Sequence, residues 1–114
     1  MIEYPKRGEI YLTNLLSKQK DFKNRPAIII STDIRNRLAN DVIVVPLSTN
    51  LRQSPTHVLL QKGEAGLDKT SMAKCEQLAT LDKELLIAGP FTGKLSDQKL
   101  KEIERGIMIS IGVI

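Results

Sequence analysis

Arg25 is followed by Pro26 and the apolar run Ala27-Ile28-Ile29-Ile30, so a charged loop stops and a β-element begins at that arginine. Proline has no N–H and a fixed φ, and it pushes the residue before it into an extended conformation, which suits the first position of a strand. The Arg25 guanidinium is thereby held at a strand end, where its planar fork of donors matches a phosphate or a carboxylate. The alternative is a structural ion pair with an acidic neighbour. Ser48 and Thr49 form a second set, two adjacent hydroxyls delivered by the run Val42-Ile43-Val44-Val45-Pro46-Leu47. An arginine and hydroxyls on neighbouring strand ends can bind a phosphodiester and stabilise the charge of a pentacovalent phosphorus. If that diester is RNA, the substrate's own 2′-hydroxyl can attack, and no metal is needed. On their own the two hydroxyls would read as turn residues.

Other chemistries are narrowed by what the chain lacks. With His57 the single histidine, a two-imidazole acid/base pair is excluded. Ser-His-Asp catalysis would need His57 beside Ser48 or Thr49, and neither hydroxyl sits in a nucleophile-elbow pattern. His57 reads instead as a strand residue with one satisfied nitrogen. Cys75 stands alone, so there is neither an internal disulfide nor a Cys/His zinc site, and it reads as a small buried side chain on a strand. No cofactor is called for. Phe22 could stack on a base or pin its loop to the core. Asp21 and Glu76 are the carboxylates placed to serve as bases, whereas Glu64, Glu84 and Glu104 read as solvated charges.

The elements that must position these residues follow from periodicity. Ile10 and Leu12 alternate with Tyr11 and Thr13 as a first strand, and Leu16 to Asn24 is a polar, basic hairpin loop. Pro26 to Ser31 is the second strand, and Thr32 to Asn40 holds one helical turn capped by Thr32 or Asp33. Val42 to Thr49 is apolar on both faces, as a core strand should be, with Pro46 marking an edge or bulge. Thr56 to Leu60 returns as a fourth strand; Gly63 to Gly66 turns; Ser71 to Leu78 makes a fifth strand before a tight turn at Thr80-Leu81-Asp82. Leu85 to Thr92 has β character interrupted at Gly89-Pro90. Leu100, Ile103, Ile107 and Ile111 then recur at helical spacing behind an N-cap at Ser96, with Leu95 stapled to Leu100. The expectation is a mainly β fold of five or six strands, bent into a small antiparallel barrel and closed by one C-terminal helix.

At 114 residues, residues 1–114 form one domain with a modest core. The first fourteen residues are charged and lack a signal core, and no apolar run reaches membrane-spanning length, so a cytoplasmic protein is expected. The net charge of +4 lies entirely in the first half: residues 1–57 hold nine Lys/Arg against five Asp/Glu, and residues 58–114 hold eight of each. Lys18, Lys20, Lys23, Arg25, Arg35 and Arg37 carry most of it. Such a face fits a nucleic acid or an acidic partner, or is a solvated surface. The apolar stretch from Ile109 to Ile114 points to burial against a partner, such as a second copy.

These positions resemble the MazF/PemK toxins of bacterial toxin-antitoxin modules. The likeness runs through Arg7-Gly8-Glu9-Ile10, Arg25-Pro26-Ala27-Ile28, Val44-Val45-Pro46-Leu47-Ser48-Thr49, Pro55-Thr56-His57-Val58, Gly66-Leu67 and Glu76-Gln77-Leu78-Ala79-Thr80-Leu81-Asp82. It implies an SH3-like, MazF/CcdB-like barrel, a homodimer, and metal-independent cleavage of single-stranded RNA to a 2′,3′-cyclic phosphate and a 5′-hydroxyl. It implies catalysis by Arg25 and Ser48, with Thr49 beside it. An RNA-binding set of Lys18, Lys20, Asp21, Phe22, Lys23, His57 and Gln77 accompanies them, and the partner is an acidic antitoxin whose tail covers the groove. Lys20 and Lys23 stand where many members carry a glutamate and a glycine, and Ala79 stands where an arginine often follows the Glu-Gln pair. These departures leave open a silent RNA- or antitoxin-binding module. A topoisomerase poison acting through the C-terminal helix is the other rival.

Overall fold

The computed structural model describes residues 3–14 and 24–114. Lys18, Lys20, Asp21, Phe22 and Lys23, and the loop expected to carry them, lie outside the described residues.

The chain is mainly antiparallel β with a C-terminal helix. Its strands are β1 (Ile10–Thr13), β2 (Arg25–Ile29), β3 (Asp41–Ser48), β4 (His57–Leu60), β5 (Ser71–Lys74), β6 (Ala79–Asp82) and β7 (Leu86–Ala88), with helices α1 (Asp33–Leu38) and α2 (Asp97–Ser110). The strand path is β4-β5-β3-β2-β1-β7, with β6 attached to β3. Among the described residues no pairing joins β4 to β7, so the expected barrel is here an open, branched sheet.

β3 organises the sheet because it has partners on both edges and apolar residues on both faces. One edge pairs with β2; the other pairs first with β6, at Asp41 to Val44, and then with β5, at Leu47 and Ser48. Ile43 turns its carbonyl to Ile30 N and its N–H to Ser31 Oγ, so residues of the opposite parity, including Pro46, point to the β6/β5 edge. Pro46 therefore falls where β6 has ended and β5 has not begun, and its missing donor costs no ladder bond. Val45 and Leu47 enter one core with Ile10, Ile28, Leu60, Cys75 and Ile103; Val42 and Val44 enter another with Ala27, Ile29 and Leu81.

α2 covers the first core. Ser96 caps it by accepting from Lys99 N at 3.2 Å, Leu95 and Leu100 both pack into the core, and Ile103 is fully buried. Ile111 lies past the last helical residue and is 67% exposed, as Val113 and Ile114 are exposed at 61% and 56%.

Four expectations need correction. The segment after β5 is not strand to Leu78: Cys75–Gln77 is a 3-10 turn, which lets Gly106 of α2 approach Cys75. Thr80-Leu81-Asp82 is not a turn but part of β6, pairing with Asp41 to Ile43, because β3 has a free edge there. Thr32 stands at the N-cap of α1 without a side-chain bond, and the Asp33 carboxylate accepts from Arg7 N at 2.7 Å instead. Two carboxylates read as solvated have partners: Glu104 pairs with Arg7, and Glu64 accepts from Gln61 N at 2.6 Å.

Candidate active site

Arg25 opens β2. Its backbone is fixed on one side by β1, where it pairs with Thr13 and accepts from the buried Thr13 hydroxyl at 2.9 Å. On the other side β2 and β3 are paired at Ile29–Val44, Ile28–Val45 and Ala27–Pro46. Arg25 lies two residues before Ala27 and Ser48 two residues after Pro46, so the two stand at the same end of the β2–β3 pair. Strand alternation also assigns them one face, since Ala27 and Ile29 share the second core with Val44. At Ser48 the chain leaves β2 and pairs with Met72 of β5. Arg25 and Ser48 are both half-buried and Thr49 is exposed, so the strand ends open toward solvent with the hydroxyls at the rim.

Met72 continues the site into a groove of about 670 Å³, lined by Leu51, Gln53, Ser54, Pro55, His57, Leu59 and Met72. Leu59 pairs with Met72, and His57 lies two residues before Leu59 on the same face of β4. The groove thus runs from the Ser48 strand end across β5 to β4, walled by the loop between β3 and β4. Apolar side chains with a few polar groups suit a base or another flat, partly polar ring.

The His57 ring is bonded at both nitrogens: Nδ1 lies 2.8 Å from Arg52 O and Nε2 lies 3.1 Å from Glu76 Oε2. Thr56 donates its hydroxyl to Glu76 Oε1 at 2.8 Å. Burial pushes the Glu76 carboxyl up, but the hydrogen bonds from His57 and Thr56 outweigh it and hold the group below the usual carboxylate range. With both oxygens occupied, Glu76 is a structural acceptor rather than the open base it could have been. Gln77 follows it on the exposed side of the same 3-10 turn. Cys75 is buried against Gly106, and desolvation, reinforced by the Glu76 charge, pushes its thiol up to about 12, so it supplies no nucleophile at neutral pH.

The chain matches the family model described as PemK-like, MazF-like toxin of type II toxin-antitoxin system, over residues 6–111. It belongs to that family. A curated relative, Endoribonuclease MazF of Staphylococcus saprophyticus, is 37% identical over 112 residues, covering 95% of this chain and 92% of the relative. Among solved structures, an endoribonuclease in complex with its cognate antitoxin from a mycobacterial species superimposes with a TM-score of 0.80 at 27% identity, covering 96% of this chain and 97% of that one. MazF from Deinococcus radiodurans has the same fold at a TM-score of 0.80 and 18% identity, over 97% of this chain and 99% of that one.

In this MazF-like toxin Arg25 opens β2, Ser48 closes β3 with Thr49 after it, His57 lines the groove from β4, and Gln77 lies in the 3-10 turn after β5. The structure also adds residues the sequence left unmarked. Thr13 looks like an ordinary strand residue; its role depends on which strand lies beside β2. Thr56 is joined to Glu76, the carboxylate already singled out as a candidate base, by the return of β5 to β4. Gly106 stands mid-helix, where an interior glycine was the available signal for a close approach.

Proposed function

We propose that this MazF-like toxin is a metal-independent endoribonuclease that cleaves single-stranded RNA at short sequence motifs. What supports the reading is that Arg25 and Ser48 stand at the same end of the β2–β3 pair, where Ser48 pairs with Met72, a residue that lines the open groove. In the reaction the 2′-oxygen of the substrate bonds to phosphorus while the bond from phosphorus to the 5′-oxygen breaks, leaving a 2′,3′-cyclic phosphate and a 5′-hydroxyl. One proton leaves the 2′-oxygen and another reaches the 5′-oxygen. Arg25 stabilises the charge growing on the non-bridging oxygens, and the Ser48 and Thr49 hydroxyls hold the phosphate in line. Lys18, Lys20, Asp21, Phe22, Lys23, His57 and Gln77 bind the RNA, and the excess positive charge of the first half draws the polyanion to the protein.

The same reading gives the protein a cytoplasmic setting, an SH3-like barrel as its underlying architecture, and a homodimer that covers the exposed Ile111, Val113 and Ile114. The inhibitor is an acidic antitoxin segment laid over the RNA groove, in keeping with the antitoxin complex of the mycobacterial relative. Incubation of the purified protein with a long single-stranded RNA in EDTA tests the function. Cuts at one short motif with cyclic-phosphate ends are expected; intact RNA, or cuts that need added metal, would overturn it.

A further inference from the structure

The loop between β3 and β4 carries a continuous chain of hydrogen bonds that begins at the candidate active site. Asn50 N donates to Ser48 Oγ at 3.1 Å, and Arg52 N donates to Asn50 Oδ1 at 3.2 Å. The Arg52 carbonyl then faces His57 Nδ1 at 2.8 Å, and His57 Nε2 faces Glu76 at 3.1 Å. Each end is anchored in regular structure, Ser48 as the last residue of β3 and Glu76 in a turn whose Cys75 N donates to Thr56 O at 3.0 Å. The ring itself is well buried, its side chain 8% exposed.

Both ring nitrogens face acceptors. A carbonyl oxygen has no proton to give, and Glu76, held ionised, has none either. A neutral imidazole donates from one nitrogen only, so a neutral ring would leave one of the two contacts as a pair of opposed acceptors. The doubly protonated ring satisfies both. The charged groups around it are Glu76, in direct contact, Lys74, opposite His57 on β5, and the Arg52 side chain of the loop. Lys99 of α2 lies near the same strand, bonded to Leu59 O and paired with Glu102.

We propose that His57 is a positioning residue: as a doubly protonated ring it ties Arg52 to Glu76, and through Asn50 it fixes the Ser48 hydroxyl for reaction. Loss of the ring proton frees the Arg52 carbonyl, loosens the loop that walls the groove, and lets Ser48 Oγ turn away from the phosphate. The consequence for RNA cleavage rests on the ribonuclease reading above; the latch itself does not.

His57 is the single histidine, so its ring nitrogens give one unambiguous set of signals in nitrogen-15 NMR of the full-length protein. The expected result without RNA is a ring with both nitrogens protonated on the acidic side of its titration, and an Asn50 amide that shifts with the same midpoint as the ring. In Glu76→Gln the ring and the Asn50 amide still shift with one common midpoint. In His57→Gln, which keeps a donor but cannot titrate, the Asn50 amide is flat with pH. With RNA, wild-type kcat falls as the ring loses its proton, by up to about 10²-fold, while KM holds. The His57→Gln profile stays flat over that range. A ring that stays neutral while the protein is folded, or an Asn50 amide indifferent to its titration, overturns the latch even if RNA is cleaved. A titrating latch in a protein that leaves RNA intact overturns the ribonuclease reading alone.

Discussion

The Thr13 hydroxyl donates to the carbonyl of Arg25 from a fully buried position on β1, so the strand end that presents the guanidinium is pinned from the side opposite the groove. Thr13→Val keeps the shape and removes the hydroxyl, so the Arg25 carbonyl loses its side-chain hydrogen bond while the β1–β2 ladder stays intact. The variant is expected to lose about 0.5–1.5 kcal/mol of stability by urea denaturation and to cleave RNA more slowly than its folded fraction accounts for.

Ser48 tests the hydroxyl. Ser48→Ala removes both the hydroxyl at the Arg25 end of the β2–β3 pair and the acceptor of Asn50 N. Cleavage should fall by about 10²-fold, whereas Ser48→Thr, which keeps an oxygen at the same place, should retain most of it. An alanine variant as active as the parent would remove Ser48 from the site.

Gly106 tests the packing of α2 on the turn that holds Glu76 and Gln77. A Cβ there would meet Cys75 Sγ at 2.8 Å, Cys75 Cβ at 3.1 Å and Thr56 O at 3.3 Å. Gly106→Ala gains about 1 kcal/mol of helix propensity but overpacks a site where backbone cannot yield, a cost of about 1–3 kcal/mol or more. A lower melting temperature is expected, and Cys75→Ala in the same chain should restore part of it because the closest clash is with sulfur. That partial rescue is the coupling a double-mutant cycle measures.

Glu76 sets an acid limit on stability. Its carboxyl lies below its usual value of 4.5 in the folded protein, despite burial pushing the other way, because His57 and Thr56 donate to it. A carboxyl lowered on folding contributes stability that is complete above the unfolded value and is lost as pH falls through the folded one. Urea midpoints measured from about pH 6 down to about pH 3 should therefore decline, and Glu76→Gln should decline less steeply over the same interval. Equal slopes would mean that Glu76 gains nothing from its partners.

Much of this was legible in the chain because it depends on local signals. The Arg25-Pro26 step marks a strand start; Val42 to Leu47, apolar at every position, marks a strand buried on both faces; Ser96 with Leu95 and Leu100 marks the start of α2. What escaped depends on partners distant in sequence. Thr80 to Asp82 reads as a turn until β3 offers it a vacant edge, and Glu104 reads as solvated until Arg7 arrives beside it. For His57, one satisfied nitrogen was expected and two are found, because its second acceptor comes from a turn beyond β5. Arg25 and Ser48 could be named from residue type and strand ends, but their place at the same end of the pair needed the β2–β3 register.

Whether Arg25 serves the reacting phosphate is decided by comparing the wild type with Arg25→Ala on a long single-stranded RNA in EDTA. Cut ends are mapped, and binding is measured on the same RNA made resistant by 2′-deoxy substitution. Cyclic-phosphate ends at one short motif are expected from the wild type, with no cuts from a folded Arg25→Ala and binding by the variant reduced far less than its cleavage. Undiminished cleavage by Arg25→Ala would contradict that role.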